Sequence, residues 1–361
     1  MGNSLALFLS MDAIPVFDKI GSLLACMLCI LSIGMGKAQN LQNPGEYITS
    51  INQQHRKIAK EVLRYTSAVA HNKSVRKVEN SRQAVLQSIK DAGQKVLELP
   101  PLDGDKSLRD STISYLKTAF IVMNNEYEKI LDMEAIAEQT YDGMEAYLLA
   151  EELAEEHVNN AEERLNAITQ TFAQKHGIHL VEKDEDEIRA KLKIASQVNA
   201  YHRTVYLIFF KSNKQEFNLI SVMEKKDMAA LEPNRALLMA NVQEGMNMLD
   251  TLHAYQHDKS LIEAAKQTLV FYQKECAEQL PLLVDFLKKE DAMARAKETF
   301  DTKKDQEKTK EVVDAYNRTI RDFNTMVTTY NEATKNLNQE RTKVVTKWEK
   351  ASLNFLDKHV P

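Results

Sequence analysis

The carboxy-terminal stretch of this chain constrains the fold more than any other. Val313, Tyr316, Ile320, Phe323, Val327 and Tyr330, then Thr334, Leu337, Arg341, Val344, Trp348, Ala351 and Phe355, recur at alternating spacings of three and four residues. That is the seam of a long helix, because a strand repeats its faces every second residue. Such a seam must be covered. Packing against the preceding helix is the expectation, and pairing with a second chain, as a homo-oligomer, is the alternative. Aromatic residues in the seam suit a globular bundle, and Thr334 and Arg341 break it with polar groups. The rest of the chain agrees with an all-α fold. Only 10 glycines and 7 prolines occur in 361 residues, and five of those glycines fall at or before Gly45.

A tetrapeptide recurs. "DKSLRDSTISYL" begins at Asp105 and "DKSLIEAAKQTL" at Asp258, 153 positions later. Ser107 with Asp110, and Ser260 with Glu263, have the S-x-x-[DE] spacing of a capping box, which predicts that each serine hydroxyl caps a helix. The same offset lays Val78–Leu99 over Leu231–Leu252 without gaps, matching Glu79 with Glu232, Arg82 with Arg235, Val85 with Leu238 and Ile89 with Val242. "FAQKHG" from Phe172 is echoed by "FLDKHV" from Phe355. These correspondences predict two tandem four-helix bundle units related by duplication, residues 39–180 and 181–361, joined by the charged link His179–Ile188.

The helices expected in the first unit run from Pro44 to Ala70, from Val75 to Leu99 before Pro100-Pro101, from Leu108 to Leu131, and on to His176. Gly177 caps the last, and Gly143 interrupts it near its start. In the second unit they run from Ile188 to Met228 with a kink near Ser212-Asn213, from Pro233 to Tyr255, and from Leu261 to a kink or stop at Pro281. The long seam helix follows.

Residues 1–38 read differently. Lys19 precedes "IGSLLACMLCILSIGMG", an apolar run of about 15 residues, and Gly36 and Ala38 place small side chains before a cut after Ala38. The expectation is a secretory signal and a secreted, periplasmic or cell-surface protein, with translation starting at Met1 or Met11. The alternatives are an uncleaved anchor, which would be the chain's one membrane contact, and lipid processing at Cys26. The run is short for a span, which favours cleavage. Cleavage removes Cys26 and Cys29 and leaves Cys276 without an internal disulfide partner. Cys276 lies in a helical pattern and reads as a small, partly buried apolar residue, with an intermolecular bridge as the alternative.

The chemistry on offer is sparse. His253 and His257 stand four apart with Asp250 one turn before, so on a helix the three would share one face with metal-ligand spacing. They are the candidate metal residues. The competing reading is a polar helix end. His176 and His359, each after a lysine, read as cations offsetting helix carbonyls. The acidic stretch Ala150–His157 lacks the Glu-x-x-His pair of a di-iron bundle and reads as a solvated face. "TVYLIFF" (Thr204–Phe210) and "AFIVM" (Ala119–Met123) are too short to span a membrane and read as buried core. No nucleophile elbow, phosphate loop or dinucleotide fingerprint is present, so no catalytic residue and no cofactor is assigned. A net charge of −5 provides no basic face for nucleic acid. The expected role is non-catalytic: structure, or binding of a protein or glycan partner at the cell envelope. The alternatives are a metal-binding or cryptic enzyme built on His253 and His257, and a membrane-active pore former.

Three segments carry a family resemblance: "SLLACMLCILSIGMGKAQ", "NPGEYITSINQQHRKI" and "WEKASLNFLDKHVP". With them the chain resembles all-helical bacterial secreted or surface proteins of the leptospiral type, over most of residues 39–361. The resemblance implies export and an all-helical body, and no site residues.

Overall fold

The computed structural model describes residues 43–126, 137, 139–180 and 187–361. The expected leader with Cys26 and Cys29, the expected end of the third helix at Leu131 and the middle of the charged link lie outside the described residues. Among the described residues the chain is all-α: it is 87% helical, with eight α-helices and no strand. In order these are α1 Pro44–Ala70, α2 Val75–Leu97, α3 Ser107–Ile121, α4 Tyr141–Lys175, α5 Glu187–Glu224, α6 Met228–Thr251, α7 Ser260–Thr302 and α8 Lys310–His359. A π-helical turn, Val122–Glu126, follows α3.

The described chain forms two compact units. One comprises residues up to Thr204 together with Ser352–Pro361, and the other comprises Val205–Ala351. The division therefore falls inside α5 and near the end of α8, and not at the link near residue 180. The side chains give the reason. Leu192, Ala195 and Val198 of α5 are buried, Tyr201 stacks on Phe355 at 5.6 Å, and His202 Nε2 lies 2.6 Å from Ser352 Oγ, all within the first unit.

Local chemistry fixes most helix ends. Asn43 caps α1, its Oδ1 accepting from the Gly45 and Glu46 amides, with Pro44 at the first helical position. Thr140 caps α4 through the Gly143 amide, so Gly143 sits inside the first turn and does not interrupt the helix. Gly177, at φ +66°, closes α4 as expected: its amide donates to Gln174 and that of Ile178 to Ala173. Asp227 caps α6 at Met228, which leaves Pro233 inside the helix. Pro281 neither ends nor interrupts α7, which continues to Thr302, and α5 runs unbroken past Ser212 and Asn213.

The repeated tetrapeptide works differently from the capping-box reading. Ser107 and Ser260 are the first residues of α3 and α7, and no side-chain cap forms there. The aspartate does the capping: Asp105 Oδ1 accepts from the Ser107 amide at 2.8 Å, and Asp258 Oδ1 from the Ser260 amide at 2.9 Å. Each aspartate also closes a four-residue turn by a backbone bridge, Leu102 with Asp105 and Tyr255 with Asp258. The two residues inside each turn have positive φ, Asp103 and Gly104 in one, Gln256 and His257 in the other.

The geometric agreement extends along both halves. Arg82 makes a two-pronged ion pair with Glu79, and Arg235 with Glu232. Val85, Ile89 and Val96 are buried in α2, as are Leu238, Val242 and Leu249 in α6. Asn72 after α1 and Lys226 after α5 both take a left-handed backbone and close the same pair of hydrogen bonds. Tyr47 stacks on Phe172, which packs on His176; Tyr201 stacks on Phe355, which packs on His359.

Within the second unit the α8 seam packs along α7. Tyr316 stacks on Phe300 at 4.4 Å, Tyr330 on Phe286 at 4.7 Å, and Thr334 accepts from Gln279 at 2.7 Å. Trp348, farther along, stacks on Phe209 of α5 at 4.3 Å. "TVYLIFF" is accordingly core, with Val205 and Phe209 fully buried. Among the described residues no helix is long and apolar enough to cross a membrane.

Candidate functional site

Three places merit comparison: the proposed metal residues, a buried ionic cluster and a surface groove. The first comes apart. Helix α6 stops at Thr251, where Leu252 turns to extended backbone, so His253 and His257 stand on a loop and share no helix face. Both are exposed, and His257 occupies the left-handed position of the turn at φ +68°. Asp250 is held by Lys266 Nζ at 2.5 Å. Among the described residues no group of three histidine, cysteine or acidic side chains is placed to hold a metal ion. The i, i+4 spacing puts two side chains on one face only inside a helix, and α6 ends at Thr251, before either histidine.

The second place is the polar break at Arg341. Its guanidinium is buried between two buried carboxyls, Glu216 of α5 at 2.5 Å and Glu275 of α7, and it also meets Asn338. Glu275 has its pKa pushed up to about 8 by burial and by the neighbouring Glu216 charge. Glu216 has its pKa raised as well, by burial first, although the Arg341 charge beside it pulls the other way. Burial thus favours the protonated form of Glu275 near neutral pH, and Arg341 bonds both carboxyls. Beside them Asn213 Nδ2 donates to Tyr272 Oη at 2.8 Å, and burial holds that phenol well above its ordinary pKa. The adjoining cavity measures about 50 Å³, room for water and not for a substrate. This is an internal ion pair that sets the register of α8 against α5 and α7.

Other sequence candidates are also structural. Cys276 is buried, as a small apolar residue would be, and its thiol is pushed up to about 12 by burial and then by Glu275. The acidic stretch Ala150–His157 is not a uniformly solvated face. Glu151 is fully buried, accepting from Tyr147 Oη at 2.9 Å with Arg203 at 3.9 Å, and the register instead leaves Leu153 exposed. His176 does more than offset carbonyls. It reaches Asp105 Oδ2 at 3.4 Å, beside Lys175 at 2.7 Å, and ties the end of α4 to the α2–α3 turn. Lys175 and then Ser107 hold the Asp105 carboxyl far below its ordinary range.

The third place was not seen in the sequence. Between α2 and α3 lies an open groove of about 420 Å³. Ile89, Gly93 and Leu97 form one side, and Ile113, Leu116 and Phe120 the other, with Lys90 and Lys117 on the margins. Leu97 is 63% exposed and Ile121 49% exposed, so "AFIVM" is core only in part. Gly93 helps to open the groove. No atom lies within 4 Å of where its β-carbon would be. A glycine inside a helix costs about 1 kcal/mol against alanine, and packing does not require this one. Gly245 of α6 contrasts, since a β-carbon there would meet Leu269 at 3.0 Å and Ile208 at 3.1 Å.

The α6–α7 hairpin supplies an internal control, having the same turn, the same aspartate at the head of its second helix and matching buried positions at Leu238, Val242 and Leu249. At the offset of 153, Leu97 and Ile113 correspond to Asp250 and Lys266, the ion pair already described. Gly93 corresponds to Met246, Phe120 to Gln273, Ile121 to Lys274, and Lys90 and Lys117 to Gln243 and Val270. Ile89 and Leu116 keep apolar counterparts, Val242 and Leu269, so the two hairpins differ chiefly at Leu97, Ile113, Phe120 and Ile121. Compared with family models, with curated proteins and with solved structures, the chain matches none.

Proposed function

We propose that this chain is an exported, non-catalytic helical protein that binds a partner at the cell envelope, and that the α2–α3 groove is its binding surface. One observation carries the reading: at Leu97, Ile113, Phe120 and Ile121 the groove is apolar where the α6–α7 hairpin has the Asp250–Lys266 ion pair, Gln273 and Lys274. Exposed apolar surface at positions that a related hairpin fills with charge is surface kept for contact. The two halves, on this reading, derive from one duplicated helical unit, of which the first copy acquired a groove. Matched caps, ion pairs and turn conformations at one offset support the duplication. Export rests on Lys19, the apolar run after it and the small residues before Gln39.

The test uses the fluorescent apolar anion anilinonaphthalene sulfonate and the double variant L97D/I113K, which gives the groove the ion pair of the other hairpin. Saturable enhancement at one probe per native chain, lost in the variant while its helical circular dichroism is unchanged, is the expected result. Equal enhancement in both proteins, or none in either, overturns the reading.

A further inference from the structure

We infer that the groove takes an anionic single-chain amphiphile, a long-chain fatty acid, with its tail along the apolar floor and its carboxylate at Lys90 and Lys117. The inference rests on the groove being the binding surface. The distribution of groups along the hairpin carries it. Consecutive helices joined by the Leu102–Asp105 turn run antiparallel, so Leu97 and Ile113 lie toward the turn, and Lys90, Lys117 and Phe120 away from it. The groove is therefore polarised in charge: its end toward the turn is uncharged, with Gln94 beside Leu97 and Ile113, and two lysines, one from each wall, stand at the other beside Phe120 and Ile121. The Lys90 ammonium stands over the Phe120 ring, 5.1 Å from its centre, which holds a positive charge directly above apolar surface.

A helix from a partner protein would call for cations spaced along the groove's whole length to meet acids on its flanks. A fatty acid needs one charged end and a trough, and about 420 Å³ falls in the range of small-ligand sites. Both lysines are replaced in the α6–α7 hairpin, by Gln243 and Val270, together with Leu97, Ile113, Phe120 and Ile121. Lys90 and Lys117 thus occur in the hairpin that has Leu97, Ile113 and Phe120, and neither is kept where these become Asp250, Lys266 and Gln273. Gly93 fits the same reading, since a side chain there would fill the floor on which the tail lies.

The experiment titrates the full chain with saturated fatty acids from octanoate to palmitate, each below its micelle concentration, by displacement of anilinonaphthalene sulfonate and by calorimetry. The expected result is one site per chain. Affinity should rise up to about fourfold for each added methylene until the trough is full. The methyl ester, and Lys90→Gln/Lys117→Gln with the free acid, should bind about fivefold more weakly. L97D/I113K should not bind, and Gly93→Met, which fills the floor with the residue of the other hairpin, should bind weakly with no loss of thermal stability.

If the dye binds the native chain and not L97D/I113K, yet no fatty acid displaces it, the ligand assignment is overturned and the groove reading stands. If L97D/I113K leaves dye binding unchanged, the groove reading falls and the assignment with it. Fatty-acid binding at many equivalents, or equal binding of acid and ester, overturns the assignment. So does a concentration-dependent dimer that L97D/I113K abolishes, because the occupant would then be a second copy.

Discussion

In each turn before the repeated tetrapeptide, the second of two residues with positive φ is Gly104 in one case and His257 in the other. Glycine takes that conformation freely, whereas a side chain there strains the backbone by about 1 kcal/mol. His257→Gly is therefore expected to stabilise the chain by about that amount in denaturant unfolding, and a loss of stability would mean that the imidazole makes a contact the turn depends on. The sequence put the tetrapeptide correctly at the head of two helices but gave the capping to serine. Asp-x-Ser and Ser-x-x-Asp signals overlap in these four letters, and only the backbone of the residue between decides. That residue, Lys106 or Lys259, is already near-helical, so the serine falls inside the helix and the aspartate bonds its amide. His253 and His257 were misplaced for a related reason: the end of α6 at Thr251 has no glycine or proline to mark it.

The long helices show why some elements were legible and others not. The α8 seam was readable because its period persists over many turns, and α7 covers it with matching aromatic and polar partners. What answers Arg341 was not readable, because Glu216 and Glu275 lie 125 and 66 residues away on other helices. Proline misled for a different reason. Pro281 costs about 3 kcal/mol in a helix interior, but Leu280 and Leu283 are buried beside it and Phe286 stacks on Tyr330, so packing on both sides holds α7 together. The ionic cluster makes a pH prediction. Glu275 has its folded pKa raised from 4.5 to about 8, so its contribution to stability is complete below the lower value. That contribution is lost as pH rises through the upper one. Unfolding free energy should fall between about pH 5 and 8 by up to about 1.4 kcal/mol per unit from this group. Glu275→Gln keeps the shape and loses the proton equilibrium, so its profile should be flatter and its stability at alkaline pH higher than that of the native chain. Parallel profiles would show that Glu275 is already ionised in the folded protein.

For the molecule as a whole, the all-α class and the eight helices among the described residues were legible from breakers and periodicity. The division into compact units was not, because it falls within continuous helices where no sequence signal marks it. Nor was the groove. Leu97 and Ile113 match their helical patterns as well as any buried residue, and only their setting on the hairpin reveals Leu97 as exposed and Ile113 as half-buried. The account turns on these two residues being surplus to folding. Its most direct test is the unfolding free energy of L97D/I113K against the native chain. Because Asp250 and Lys266 occupy the same places on a hairpin with the same turn and the same aspartate at the head of its second helix, the prediction is agreement within about 1 kcal/mol. A loss of about 3 kcal/mol or more, the signature of a disrupted core, would mean that Leu97 and Ile113 hold the bundle together, and it would contradict the claim that the groove exists for a ligand.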